Sequence, residues 1–552
     1  MKKFFHYPVS CINFLFAFVF VSAYSFAQGF STETQTRLQK VIDSFQNNPQ
    51  NPFVGGIVAA IKVDGLASWQ GATGYAARNI DDQNNLLPGG TLFTTDTLSR
   101  IYSVTKTFTA ALVLELANKG AFKLNEPIIK YLPLLNLYNP NINSSVTIHQ
   151  LLAHESGYSD YTDEMQLQIA VAFNPTHIWT PYEMVSFVHQ IAQPGAERKY
   201  SSTNYILLGA IIEAATGKPV EQYFREKFFD KLGLHSMFLG GRESIDNRGY
   251  LASPHENISA FNPIFQLTGQ PTFPDAYTNI SRFPMDAIVS LAFTGGGIVS
   301  NVADVAEWGN ALFGGRATSK ATLDTMLNSI SPVPDQDGDK LGYGVFVSSK
   351  LSATDYFIGH DGNAPGYRSI MFYQPDRKMT LVVLTNFHGA DIYAIGKALY
   401  EALPNFLCGN ANKKEDKIEM CFNGKNICVD RSAAPGFIQK GAYLGACEQS
   451  RKVSNNSMLN ANSTQQPVSI TAYPNPFTDH VTISFKASQS GPAILRIYDL
   501  NGRLISTLYN KETEKNINHT LNFSADKLSS GVYILRLQTS EEVAQEKIVL
   551  RR

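Results

Sequence analysis

Apolar positions at 54–63 and again at 66–72 alternate with polar ones, and Asp64-Gly65 separates the two runs. This pattern predicts two strands joined by a tight hairpin. A polar stretch rich in Asn, Asp and Gly at 78–90 reads as a loop. Next, Ser103-Val104-Thr105-Lys106 opens the run TFTAALVLELANKG. That run is apolar nearly all round, so it is expected as a helix buried on every side and stopped at Gly120.

From 147 to about 250 the spacing is helical, clearest in IHQLLAHESG, PYEMVSFVHQIA and NYILLGAIIEAATG. A loop-rich stretch runs to 284, and helical patterns return in VADVAEWGNALFGG and ATLDTMLNSI. Strand patterns follow in GYGVFVSS, TDYFIGH, GYRSIMFYQP and MTLVVLTNF, then a helix at 390–403. Strands at both ends with helices between them imply an α+β fold. Its core is one antiparallel sheet flanked by helices, with an inserted helical region. Beyond 467 the pattern alternates at period two, with Asn501-Gly502 as a second hairpin signal, and a small all-β sandwich is expected.

Length and charge narrow the picture. A chain of 552 residues exceeds one ordinary domain. Lys+Arg at 46 against Asp+Glu at 47 leaves no basic stripe for nucleic acid. The start, MKKFFHY followed by VSCINFLFAFVFVSAY and Ser25-Phe26-Ala27-Gln28, reads as a signal peptide cleaved after Ala27. Domain boundaries are therefore expected at 1–27 (signal), 28–405 (main domain), 406–450 (a cysteine-containing spacer), 451–466 (a Ser/Asn/Gln-rich linker) and 467–552. In an exported chain the four cysteines Cys408, Cys421, Cys428 and Cys447 suggest two disulfides, with three pairings open and a structural metal site as the rival. No cofactor and no catalytic metal is called for. His149, His154 and His189 lack a carboxylate at ligand spacing and are read as structural.

The candidate chemistry begins at Ser103. A serine at a helix start and a lysine three residues on share one face, about a turn apart. The helix N-terminus adds free N–H groups and a positive dipole end. Ser-x-x-Lys alone is weak: roughly two chance matches are expected in a chain this long, and a second occurs at Ser524-Ala525-Asp526-Lys527. Context singles out the first. Tyr200-Ser201-Ser202 and His360-Asp361-Gly362 follow it in order.

With these motifs the chain resembles the serine β-lactamase and penicillin-binding-protein superfamily, in its class C-like branch of D-alanyl-D-alanine carboxypeptidases and esterases. The resemblance runs from about residue 40 to about 403 and includes TIHQLLAHESG, TGGGIVSNVADVAEWGNAL and LGYGVFV. It implies an acyl-enzyme on Ser103. Lys106 would act as base if burial and nearby positive charge hold it neutral. Tyr200 would relay the proton if nearby cations raise its acidity. His360, where many relatives carry lysine, would support Tyr200 and the substrate's negative end and would be able to donate a proton. Gly362 would let a substrate approach the strand edge, and the amides of Ser103 and Asn363 would form the oxyanion hole.

Ser202 stands where the family usually has asparagine. This departure leaves three readings open. They are a hydrolase of D-alanyl peptides, β-lactams or related amides and esters; a short-chain carboxylesterase; and a catalytically silent binder of cell-wall peptide. The end of the chain, with YPNPF, LRIYDLNGRLI, LSSGVYILRL and KIVLRR, resembles the sorting domain of type IX secretion. That resemblance implies the secretion machinery as a partner. It also implies a secreted or cell-surface location, reached through the periplasm and outer membrane.

Overall fold

A computed structural model describes residues 29–48, 53–245, 247–335, 338–409, 416–447, 469–487, 490–499, 504–515, 517–525, 528–539 and 543–551. The expected signal peptide, the 451–466 linker and Asn501-Gly502 lie outside these residues.

Strand β1 (Gly56–Val63) is apolar at nearly every position because it is covered on both faces. Val58 and Ala60 enter one apolar cluster, while Ile57, Ala59, Ile61 and Val63 enter another. It pairs through the Asp64-Gly65 turn with β2 (Ala67–Ile80), and β2 pairs with β3 (Leu86–Leu92). The remaining strands come from the far end of the domain: β4 (Lys340–Leu341), β5 (Phe346–Ser348), β6 (Phe357–Ala364), β7 (Tyr367–Gln374) and β8 (Met379–Thr385). The sheet is antiparallel, in the order β3-β2-β1-β8-β7-β6-β5-β4. β1 and β8 meet at its centre from Ile57↔Thr385 to Val63↔Met379.

The polar stretch expected as a loop at 78–90 contributes the end of β2 and the start of β3. β3 is a sheet edge with mostly exposed side chains, so no apolar alternation marks it. A first helix, α1 (Thr32–Gln46), has no counterpart in the sequence reading. Ser31 caps it, its Oγ accepting from the Thr34 amide at 3.1 Å, and Leu38 and Ile42 are buried beneath it.

The helical part covers the other face of the sheet. It includes α2 (Thr105–Asn118), α3 (Met165–Phe173), α4 (Ser202–Thr216), α5 (Asn262–Thr268), α6 (Asp286–Gly296) and α7 (Val302–Phe313). In α2 every residue from Thr105 to Leu114 is buried, and Phe108 stacks on Trp308 with ring centroids 3.8 Å apart. α8 (Ile392–Glu401) lies with α1 on the opposite face.

The cysteine stretch differs from the expected spacer. Strands β9 (Lys417–Phe422), β10 (Lys425–Asp430) and β11 (Tyr443–Leu444) form a small sheet. Ile418, Met420 and Leu444 share an apolar cluster with β1, β8 and α8. Disulfides join Cys408 to Cys428 and Cys421 to Cys447. A spacer boundary at 405 thus cuts through one core. The C-terminal strands β12 (Ser469–Tyr473) to β18 (Val543–Leu550) form two antiparallel sheets of three and four strands around their own apolar cluster. Among the described residues, no helix is long and apolar enough to cross a membrane.

Candidate active site

Ser103 lies in a single 3-10 turn, Tyr102–Val104, that leads directly into α2. Its predecessor Tyr102 takes a left-handed φ of 40° although it carries a large side chain, a conformation that costs of order 1–3 kcal/mol. Tyr102 holds it because its ring is buried, 6.0 Å from that of Tyr367. The turn packs against β6, and Ser369 on β7 donates from Oγ to the Ile101 carbonyl at 2.8 Å.

The structure brings Ser103, Lys106 and Tyr200 onto one point. Lys106 Nζ is 3.0 Å from Ser103 Oγ, and the Tyr200 hydroxyl donates to the same Oγ at 3.0 Å. Lys106 Nζ also donates to the Gly295 carbonyl at 2.8 Å and to Ser202 Oγ at 3.4 Å. Gly295 reaches this position because α6 breaks at Phe293, where φ is 31° and ψ is −131°.

The electrostatics differ from expectation at three residues. Burial lowers the Lys106 pKa to about 8, and its charged neighbours are the carboxylates of Asp160 and Asp361, which push it back up. Burial alone, without any cation, makes this amine a usable base. Tyr200 is likewise not acidified. Burial raises its pKa well above 10, the bond to Ser103 opposes this, and the same two carboxylates add to the rise. It is therefore a neutral phenol, not a phenolate.

His360 is 1% exposed, and burial followed by the Lys106 charge lowers its pKa to about 3. Its Nδ1 faces the Asp361 carbonyl at 2.6 Å, and a carbonyl only accepts, so Nδ1 carries the hydrogen. Nε2 is left as an unpartnered acceptor. A neutral imidazole in this tautomer has no proton to give from Nε2. It neither lines the substrate cavity nor brings positive charge to it, and sits behind Phe346 with ring centroids 4.1 Å apart.

Gly362 also has a different reason to be glycine. A Cβ there would lie 2.4 Å from both the Ile101 carbonyl oxygen and Ser369 Oγ, so the residue lets the nucleophile's turn dock on the sheet. Asn363 occupies the expected strand edge. β5 pairs with β6 only as far as Gly359, leaving the following edge unpaired on that side. The two-residue Pro365-Gly366 turn makes Ala364 and Tyr367 the bonded pair, so ladder alternation turns the Asn363 amide away from β7.

Ser202 begins α4, and its amide donates to Asp160 Oδ2 at 2.7 Å. Asn204 points elsewhere: it is fully buried and accepts from Ser156 Oγ at 2.6 Å. Asp160, Gly295 and Phe346 join the site although the motifs do not single them out, and His154, expected to be structural, packs beside it. His154 stacks on the Tyr200 ring at 4.6 Å, and its Nδ1 accepts from the Ser201 amide. His149 and His189 stay away from Ser103, against Tyr343 and Glu164 respectively.

A cavity of about 1140 Å³ opens over Ser103, Tyr200, Ser202 and Asn363. Its charged lining is mainly acidic: Asp160, Asp163, Glu197, Asp335, Asp339 and Asp361 against Arg198, Lys199 and Lys350. Two of those cations are already engaged, Arg198 with Glu155 at 2.7 Å and Lys350 with Asp339 at 2.7 Å.

Residues 48–402 match the family model described as Beta-lactamase. The chain belongs to the beta-lactamase family. Members of this family are serine hydrolases, and this beta-lactamase family protein has the family's hydrolase fold. It is 25% identical over 363 residues to Penicillin-binding protein 4* of Bacillus subtilis, covering 63% of this chain and 72% of that protein. It is 23% identical to Protein flp of Staphylococcus aureus, covering 65% of this chain but only 64% of that one. Among solved structures it resembles D-amino acid amidase from Ochrobactrum anthropi SV3, at 25% identity and TM-score 0.55, covering 67% of this chain and 99% of the other. It also resembles a D-stereospecific amidohydrolase from Streptomyces, at 25% identity and TM-score 0.52, covering 65% and 97%. Residues 471–551 of this beta-lactamase family protein match the Secretion system C-terminal sorting domain, which marks it for type IX export to the cell surface or beyond.

Proposed function

We propose that this protein is an exported serine hydrolase that forms an acyl-enzyme on Ser103 and cleaves amides or esters whose leaving end is uncharged or cationic. The convergence of Lys106 Nζ and the Tyr200 hydroxyl on Ser103 Oγ, each at 3.0 Å, carries this reading. As neutral amine, Lys106 takes the Ser103 proton while Oγ bonds to the substrate carbonyl carbon. The oxyanion falls between the Ser103 and Asn363 amides, an arrangement worth roughly 10²–10³ in turnover per donor. The carbon–leaving-atom bond then breaks, and the leaving atom takes the phenol proton of Tyr200, which Lys106 restores. Water repeats the sequence on the acyl-enzyme and releases the acid.

The charge of the cavity supports the choice of leaving end. D-alanyl peptides and β-lactams present a carboxylate, and here the third motif holds a neutral histidine beside Asp361, with Lys350 bound to Asp339. Uncharged esters and amides fit better, and two of the solved structures it resembles are by name amide hydrolases. Ser202, with a shorter reach than asparagine, favours the ester end of that range. Export is proposed to run through the periplasm and outer membrane.

A fluorophosphonate probe is expected to label the wild type and not Ser103→Ala. Side-by-side turnover of p-nitrophenyl acetate, nitrocefin and a D-Ala-D-Ala peptide is expected to favour the ester. Equal labelling of both proteins defeats the proposal, and peptide binding without labelling or turnover establishes the silent binder instead.

A further inference from the structure

One wall of the Ser103 cavity is as apolar as the other is charged. Helices α3, α5 and α6, with the 3-10 turn before α5 and the segment leading into α6, place Leu167, Val171, Phe261, Phe265, Phe283 and Leu291 along it. On the parts of these helices that line the cavity, Gln168 is the one polar side chain. Leu167, Phe265 and Phe283 are at most 5% exposed: Leu167 is part of the main helical core, and Phe265 and Phe283 belong to a smaller apolar cluster beside it, so the wall is not a loose surface patch. The cavity's 1140 Å³ exceeds the roughly 300–1,000 Å³ of an ordinary small-ligand site, and a short acyl group would leave much of it unfilled.

The position of this wall assigns it to one side of the substrate. α6 carries both Gly295, which holds the base Lys106, and the lining residues Leu291 and Ile288. Ile288 and Leu291 lie about one turn apart on the stretch of α6 before the break at Phe293, and Gly295 lies after it. Tyr200, which would stand beside the leaving atom, packs against Phe346 and His360 on strands β5 and β6. The leaving group therefore departs toward the charged side, and the acyl group extends along α6.

We infer that the acyl side of the substrate is an extended apolar chain of medium length, seated between α3, α5 and α6. This rests on the acyl-enzyme reading above. An ester or amide with such a chain would bind across the cavity, its hydrocarbon against the phenylalanines and its alcohol or amine among the carboxylates.

The test is a series of p-nitrophenyl esters, acetate, butyrate, hexanoate and octanoate, with the full exported chain. Each added methylene that is buried is worth about a threefold to fourfold gain in kcat/KM, so hexanoate is expected to exceed acetate at least tenfold. Val171→Trp and Leu291→Trp, which narrow the wall, are expected to lower the octanoate-to-acetate ratio at least fivefold. A misfolded variant loses both esters together and leaves the ratio unmoved, and Leu291→Ala, which cannot block, then serves as the second variant and is expected to keep the ratio high. Turnover of acetate that needs Ser103 but does not rise with chain length overturns this inference alone. Absence of any Ser103-dependent turnover or phosphonate labelling overturns the acyl-enzyme reading and this inference with it.

Discussion

Lys106 Nζ donates to the Gly295 carbonyl across 2.8 Å. This bond decides which way the amine's lone pair faces. A neutral amine has two hydrogens, and the Gly295 carbonyl and Ser202 Oγ are placed to accept both. The lone pair is then left for the Ser103 hydroxyl at 3.0 Å. The break at Phe293 that presents this carbonyl is a strained residue at the centre of the site, not a defect.

Activity should follow the ionisation of that amine. With the Lys106 pKa lowered to about 8, kcat/KM for an ester is expected to rise with pH and level off above about 8. Asp160 raises this pKa, so Asp160→Asn should move the midpoint to lower pH while its side-chain oxygen still accepts the Ser202 amide. Lys106→Ala should lower turnover by about 10²–10⁴. Rate profiles from pH 6 to 10 check all three.

Ser202 touches Lys106 Nζ at 3.4 Å, and its replacement is expected to change substrate choice. Ser202→Asn places a longer amide beside Lys106 Nζ and adds a second donor hydrogen toward the substrate's amide. The ratio of amide to ester turnover is expected to rise by about tenfold, the scale of one hydrogen bond to a charged or reacting group. A paired assay of one acyl group as its amide and its ester reads the change.

Acid should destabilise the domain from the site outward. His360 and His154 are buried neutral, with folded pKa values well below the ordinary 6.5. The unfolded chain binds their protons first, so this stability is complete above about 6.5 and is lost as pH falls toward about 3 for His360. Melting temperature is expected to fall between pH 7 and 4, and His360→Asn should make that fall shallower.

The disulfide stretch should matter to the hydrolase domain itself. Cys421 and Cys447 are buried, and their neighbours Met420 and Leu444 pack with the sheet. Replacing both with serine should cost about 2–4 kcal/mol. Thermal unfolding followed at the tryptophans, which lie in the hydrolase domain, is expected to shift accordingly.

What could be read from the sequence divides by distance along the chain. β8 was legible because burial on both faces writes apolar residues at successive positions; β1 was expected as an alternating strand and is instead apolar at nearly every position, for the same reason. Ser103 and Lys106 were legible because a single turn joins them. Edge strand β3 was not, since exposed side chains carry no period. Asp160 and Gly295 were missed because each meets the site from a distant segment, held there by the α4 amide and by the break at Phe293. The sign of the electrostatics was missed for the same reason: motifs name the base, but only packing shows that its charged neighbours are carboxylates.

The central claim is that Ser103 becomes covalently esterified. The most direct measurement is intact-mass and peptide-mapping spectrometry on protein quenched in acid during turnover of a p-nitrophenyl ester. The expected result is one acyl group per chain, mapped to the peptide containing Ser103 and absent from Ser103→Ala. An adduct on another residue, or turnover by Ser103→Ala equal to that of the wild type, would contradict it.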